Sequence, residues 1–118
     1  MNEICTNSHI FVKQKLNQMK REVFNQYVER VANQFDMDKA DLFVKSKKKE
    51  IVDARHLLYY LCYKRQMKII YIQKYMGECG YDIKHSSVIY GIASVEVKMK
   101  EDKDYVTVIR ELEKAVFI

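Results

Sequence analysis

Residues 84–91, KHSSVIYG, hold a compact row of hydrogen-bonding side chains followed at once by an apolar pattern. Lys84, His85, Ser86 and Ser87 stand side by side, and Val88, Ile89, Ile92, Val95 and Met99 then recur at helical spacing. A helix that opens on donors and acceptors and continues as a core stripe can bury its body and offer its tip to a partner. A second cluster lies upstream, where Lys45, Lys47, Lys48 and Lys49 fall within KSKKK. Cations so close repel one another unless water or an anion compensates them. A solvated basic loop is the plain reading of that run, and a phosphate or minor-groove contact is the functional one. Arg55 follows on the first turn of the next helical pattern, where a cation opposes the helix dipole. A phosphate nearby would make sense of it.

The same residues argue against catalysis. His85 beside Ser86 looks like a base beside a nucleophile, but neighbours on a helix point about 100° apart, and no third acid orients them. No enzyme activity and no cofactor are expected. There is no GxxxxGK[ST] loop for a nucleotide phosphate. The three cysteines, Cys5, Cys62 and Cys79, are far apart and show no zinc-ligand spacing, so free thiols are expected. No apolar run approaches the roughly 20 residues of a membrane span, and the first residues lack a signal-peptide layout. A cytosolic protein is the default.

The elements that must position these residues read as helices. The chain has no proline and only three glycines, which favours long helices with short connections. From residue 8 to 35, Phe11, Val12, Leu16, Met19, Val23, Tyr27, Val31 and Phe35 form one broad stripe, with Ser8 as a cap. That stretch is one long helix or two with a kink near Lys20. Its first half also allows a coiled-coil homodimer seam. Asp38 and Asp41 make a capping box for a short helix over 39–44 that turns Leu42 and Phe43 inward. A helix over 51–65 buries Ile51, Ala54, Leu58, Leu61 and Cys62. Tyr59, Tyr60 and Tyr63 widen its face, and with Tyr71 they form the surface that a protein partner would use. An apolar helix over 69–76 is stopped by Gly77. The connector GECGYDI leads to a helix over 85–100. EDKD breaks it, and a final helix over 104–117 closes the bundle through Val106, Ile109, Leu112, Glu113 and Val116. No segment alternates with period two, so the fold expected is all-α, a compact bundle of about six helices with an extended N-terminal helix.

With 118 residues the chain forms one modest core, divided here into an N-terminal helical extension, residues 1–30, and a domain, residues 31–118. Its net charge of +5 favours an acidic partner.

From about residue 31 onward the chain resembles the C-terminal DNA-binding domain of DnaA, the bacterial replication initiator. The first piece of the resemblance is VANQFDMDKADLFVKSKKKEIVDARHLLYYL: a helix end, a capped short helix, a basic loop, then a helix beginning near an arginine. The second is KHSSVIYG, set against the family's Asp-His-Thr-Thr-Val-Leu-His-Ala. His85 falls on the His, Ser86 and Ser87 on the two Thr, Val88 on Val, Ile89 on Leu, Tyr90 on the second His and Gly91 on Ala.

The resemblance implies a helix-turn-helix formed by 69–76 and the helix from His85, reading double-stranded DNA. His85, Ser86 and Ser87 would meet base edges, with Lys84 beside them. Lys49 would enter the minor groove beside Lys45, Lys47 and Lys48 on the backbone. Arg55 would touch a groove or phosphate, and Tyr90 would donate to a phosphate. It implies a replication accessory or regulator of bacterial or phage origin. The chain departs from the family at Lys84, where an acceptor becomes a donor. It also departs at Ser86 and Ser87, which lack the methyl groups of Thr, at Ala54 in place of a proline, and in the longer connector GECGYD. The rival expectation is a protein-interaction module built on the tyrosine face.

Overall fold

The computed structural model describes residues 8–116, apart from the side chains of residues 8–11 and 13. Among the described residues it is all-helical, with five α-helices and one 3-10 segment: α1, Ser8–Gln34; the 3-10 segment, Lys39–Phe43; α2, Lys49–Lys64; α3, Ile69–Glu78; α4, His85–Glu101; and α5, Lys103–Lys114. The expected cap at Ser8, the inward place of Phe11, and Cys5 and Phe117 lie outside what is described.

Helix α1 is a single unbroken helix, which settles the choice between one helix and two. Its stripe is buried only from Val23 onward. Val23, Phe24, Tyr27, Val28, Val31 and Ala32 enter the core, whereas Val12 is 54% and Leu16 is 52% exposed. The boundary expected near residue 30 therefore falls inside a helix whose buried residues lie on both sides of it. The lower half of α1 is braced on α3. Lys20 stands over the Tyr71 ring at 4.1 Å, Arg21 over Tyr75 at 5.2 Å, and Arg21 pairs with Glu78. The Tyr75 hydroxyl donates to the Asn17 carbonyl at 3.3 Å. Each contact is worth about 1 kcal/mol or less, but together they fix where α3 lies.

Helices α1, α2 and α3 end the same way. Asp36, Gln66 and Gly80 adopt left-handed φ of 53°, 70° and 94°. The next amide then reaches back five residues: Met37 N–H to the Ala32 carbonyl, Met67 to Cys62, and Tyr81 to Met76, at 3.0, 3.1 and 3.0 Å. This is the Schellman turn, with an apolar residue folded back over the helix end. It corrects the stop expected at Gly77. Helix α3 runs through Gly77, and the left-handed residue that ends it is Gly80. The short segment after α1 carries the expected Asp38/Asp41 box, the Asp38 N–H donating to Asp41 at 3.3 Å. It is a 3-10 turn rather than an α-helix, with Leu42 buried and Phe43 half-buried. Helix α2 begins two residues early, so Lys49 sits on its first turn. Asp102 separates α4 from α5 and caps α5 by accepting from the Asp104 N–H at 2.9 Å.

Helix α4 lies closely across α2. Val88, Ile92 and Val95 are buried, while Ile89, expected inward with them, is 47% exposed. The crossing point is Gly91: a Cβ there would stand 2.8 Å from ring carbons of both His56 and Tyr59. Lys98 then ties α4 to Asp53 of α2 at 2.7 Å. Replacing Gly91 with Ala gains about 1 kcal/mol of helix propensity but forces two half-buried or buried rings to move, a cost of about 1–3 kcal/mol. Urea denaturation should show Gly91→Ala destabilised by up to about 2 kcal/mol. A gain in stability would mean that the two helices do not approach this closely.

Candidate nucleic-acid interface

The site is built around one buried side chain. Arg55 is only 6% exposed. Its Nε donates to the Leu42 carbonyl at 3.1 Å, and one terminal nitrogen donates to the carbonyls of Val44 and Ser46 at 2.8 and 2.9 Å. The other terminal nitrogen donates to the Tyr81 hydroxyl at 2.9 Å, with the guanidinium 4.5 Å above the Tyr81 ring. The planar fork of arginine can do this because its donors diverge in one plane. One cation thus holds the basic loop on one side and the connector before α4 on the other. A direct groove or phosphate contact was expected of Arg55; the structure instead buries the side chain and commits four of its five N–H donors inside the protein.

The connector is held a second time. Gln73 of α3 donates from its side-chain amide to the Ile83 carbonyl at 3.2 Å. Two side chains from two helices therefore set the path of residues 81–83, and with it the start of α4. These contacts order the connector.

Helix α4 starts at His85 behind Lys84, whose extended backbone gives no side-chain cap, and no acid lies in the first turn. The first amides and the positive end of the helix dipole are left uncompensated by the protein. Helix α2 also opens without a side-chain cap, behind Lys48, but it carries Glu50 in its first turn. Ser, Thr, Asp and Asn are the preferred caps, and here α2, α3 and α4 all start behind a lysine, Lys48, Lys68 and Lys84.

Lys45, Lys47, Lys48, Lys49, Lys84, His85, Ser86, Ser87 and Tyr90 are all exposed or half-exposed, Tyr90 at 69%. Among the described residues none of these lysines has a carboxylate partner. Arg55, His56, Tyr59, Tyr81, Ile83, Ser86, Ser87 and Tyr90 line one cleft of about 270 Å³. The loop, the connector and the start of α4 thus meet at the Arg55 guanidinium. The Tyr90 ring rests edge-on against His56 at 5.8 Å. Burial, and then Lys98, hold His56 below its ordinary imidazole value. Burial likewise pushes the Tyr59 hydroxyl up.

The tyrosine face expected of a protein-binding module is not present as one surface. Tyr59 and Tyr60 are 3% and 5% exposed, Tyr71 lies under Lys20, and of this set only Tyr63, at 47%, is well exposed. Sequence reasoning missed Tyr81 and Gln73. The signal available was a polar or aromatic residue in a connector that a buried arginine or an adjacent helix had to reach.

A bundle in which two helices joined by a short connector place the second one outward, tip first, is the helix-turn-helix class of DNA-binding domain. A family model described as "Bacterial dnaA protein helix-turn-helix" matches residues 25–95, more than half of the chain, and the chain belongs to that family. The match runs from the buried half of α1 to Val95 of α4, so it takes in the loop, Arg55, the connector and the α4 tip. The chain carries a DNA-binding domain. Among the described residues no helix is long and apolar enough to cross a membrane.

Lysine offers three donors at a single point and cannot span three carbonyls and a hydroxyl. Arg55→Lys should therefore lose about 2–3 kcal/mol of stability. Hydrogen exchange should quicken at the Lys48 amide, which the Ser46 hydroxyl holds at 3.2 Å. Unchanged stability and exchange would show that the guanidinium does not hold the loop.

Proposed function

We propose that the chain is a double-stranded DNA-binding protein that lays the first turns of α4 in the major groove and its basic loop on the adjacent minor groove and backbone. Lys84, His85, Ser86 and Ser87 supply base-edge contacts. Lys45, Lys47, Lys48 and Lys49 neutralise phosphates, with Lys49 toward the minor groove, and the Tyr90 hydroxyl donates to the backbone. Arg55 acts as a positioning residue for both parts. The role is that of a replication accessory or regulator in the bacterial cytosol or nucleoid.

The observation that carries this reading is the Arg55 clamp, because it holds the loop and the α4 connector within reach of the same few atoms. The start of α4, behind Lys84 with neither a side-chain cap nor an acid in its first turn, supports it further. Anions are drawn to such ends, and unpaired lysines add a charge that favours phosphate. Phosphate contacts fix register and supply affinity, while base edges supply choice of sequence.

Within the N-terminal extension, Asn17, Lys20 and Arg21 brace α3 from behind. Pairing of two copies along α1, through the exposed Val12 and Leu16, would join two readers and raise affinity. No specific contact favours the protein-binding reading, since its tyrosines are largely taken up by the core.

Replacing Lys47, Lys48 and Lys49 together with Ala should weaken binding to all duplexes alike. It should also flatten the slope of log K against log salt by about one unit for each phosphate no longer neutralised. Fluorescence anisotropy with a short duplex at several salt concentrations measures both. An unaltered slope would contradict the assignment of the loop to the DNA backbone.

A further inference from the structure

Ile89 has no place in the core. It is 47% exposed and belongs neither to the buried residues nor to the partly buried ones packed on them. Its neighbours in the helix divide cleanly. Val88, Ile92 and Val95 point inward. Ser86, Ser87 and Tyr90 line the cleft beside Arg55. His85, Ile89 and Ala93, spaced four apart, form a row along the other flank, and all three are exposed. An isoleucine one turn beyond an exposed histidine, on a helix headed by a free lysine, gains nothing from water.

We propose that Ile89, with the methyl of Ala93 beside it, reads the C5-methyl group of a thymine next to the base edge met by His85. The inference rests on the DNA-reading function proposed above. In the major groove the thymine methyl is the apolar group a base pair displays, so an apolar side chain in the reading row has one natural counterpart. Ser86 and Ser87 carry no methyl of their own, which leaves Ile89 as the apolar reader near the tip. Val97, 52% exposed on the same helix, does not share this role. It lies about 18 Å along the helix axis from His85, beyond a groove about 12 Å wide. Ile89 thereby sets a preference for an A·T pair in a fixed orientation.

The test begins with selection of a preferred duplex from a randomised pool by the intact chain. Each thymine in that duplex is then replaced, one at a time, by deoxyuridine, which removes the methyl and leaves pairing and charge alone. At one or two positions the wild-type protein should lose about fourfold in affinity, the value of one buried methyl. Ile89→Ala should bind the unmodified duplex about that much more weakly and show no further loss at those same positions. Ile89 is half exposed, so the variant should melt as the wild type does, and a melting curve verifies this. Indifference of the wild type to every replacement, with its preferred duplex still favoured, would overturn the methyl reading and leave DNA reading standing. A loss that persists undiminished in Ile89→Ala would overturn it as well, assigning the methyl to another residue. Enrichment of no sequence, with salt-sensitive binding to all duplexes, would remove Ile89 as a reader of sequence. Failure to bind any duplex at low salt would remove the proposed function and this inference together.

Discussion

Four hydrogen bonds from one buried guanidinium organise the functional end of this protein. A buried cation is costly unless its donors are satisfied. Arg55 meets that demand by taking three backbone carbonyls from residues 42–46 and the hydroxyl of Tyr81. The Leu42 carbonyl closes the 3-10 turn, and those of Val44 and Ser46 belong to the irregular stretch between that turn and α2, which would otherwise have no fixed path. The desolvation cost of one charge is thus met by ordering two segments far apart in sequence. Both segments carry exposed lysines, and the proposed DNA face depends on their being held together.

The remaining elements serve to keep that arrangement rigid. Helix α4 cannot slide along α2, because Gly91 is seated against His56 and Tyr59 and Lys98 is paired with Asp53. Helix α3 is held from behind by the lower half of α1, through the rings of Tyr71 and Tyr75 and the Arg21–Glu78 pair. Gln73 carries that restraint on to the connector. The chain therefore braces its helix-turn-helix from both sides, and the N-terminal helix is part of the brace.

Much of the fold was legible because helical periodicity, caps and breakers are local. The stripe from Val23 to Val31, the Asp38/Asp41 box and the break at Asp102 each follow from a few neighbouring residues. Gly77 misled because a glycine inside a helix looks like one at its end, and the left-handed residue lies three positions on, at Gly80. The tip from Lys84 to Ser87 and the lysine run were visible as clusters of one chemistry. Arg55 was visible too, but its direction was not. Whether a cation turns in or out depends on acceptors supplied by residues 42–46 and by Tyr81, a relation of three-dimensional path rather than spacing. Ile89 shows the reverse case: its side chain fits the apolar stripe by type, yet it lies at the edge of the face set by Val88, Ile92 and Val95 and stays exposed. The tyrosines that suggested a binding face were absorbed by the core, since a large ring at helical spacing is more often buried than displayed.

The most direct test of the central claim is a titration of the isotope-labelled chain with a short duplex, followed by amide chemical shifts. If Arg55 holds one composite face, the amides of Lys45, Lys47, Lys48 and Lys49 and those of Lys84, His85, Ser86 and Ser87 should shift together, at the same duplex concentration. The exposed end of α1 around Val12 and Leu16 should stay still. Shifts confined to one of the two segments, or centred on α1, would contradict the account.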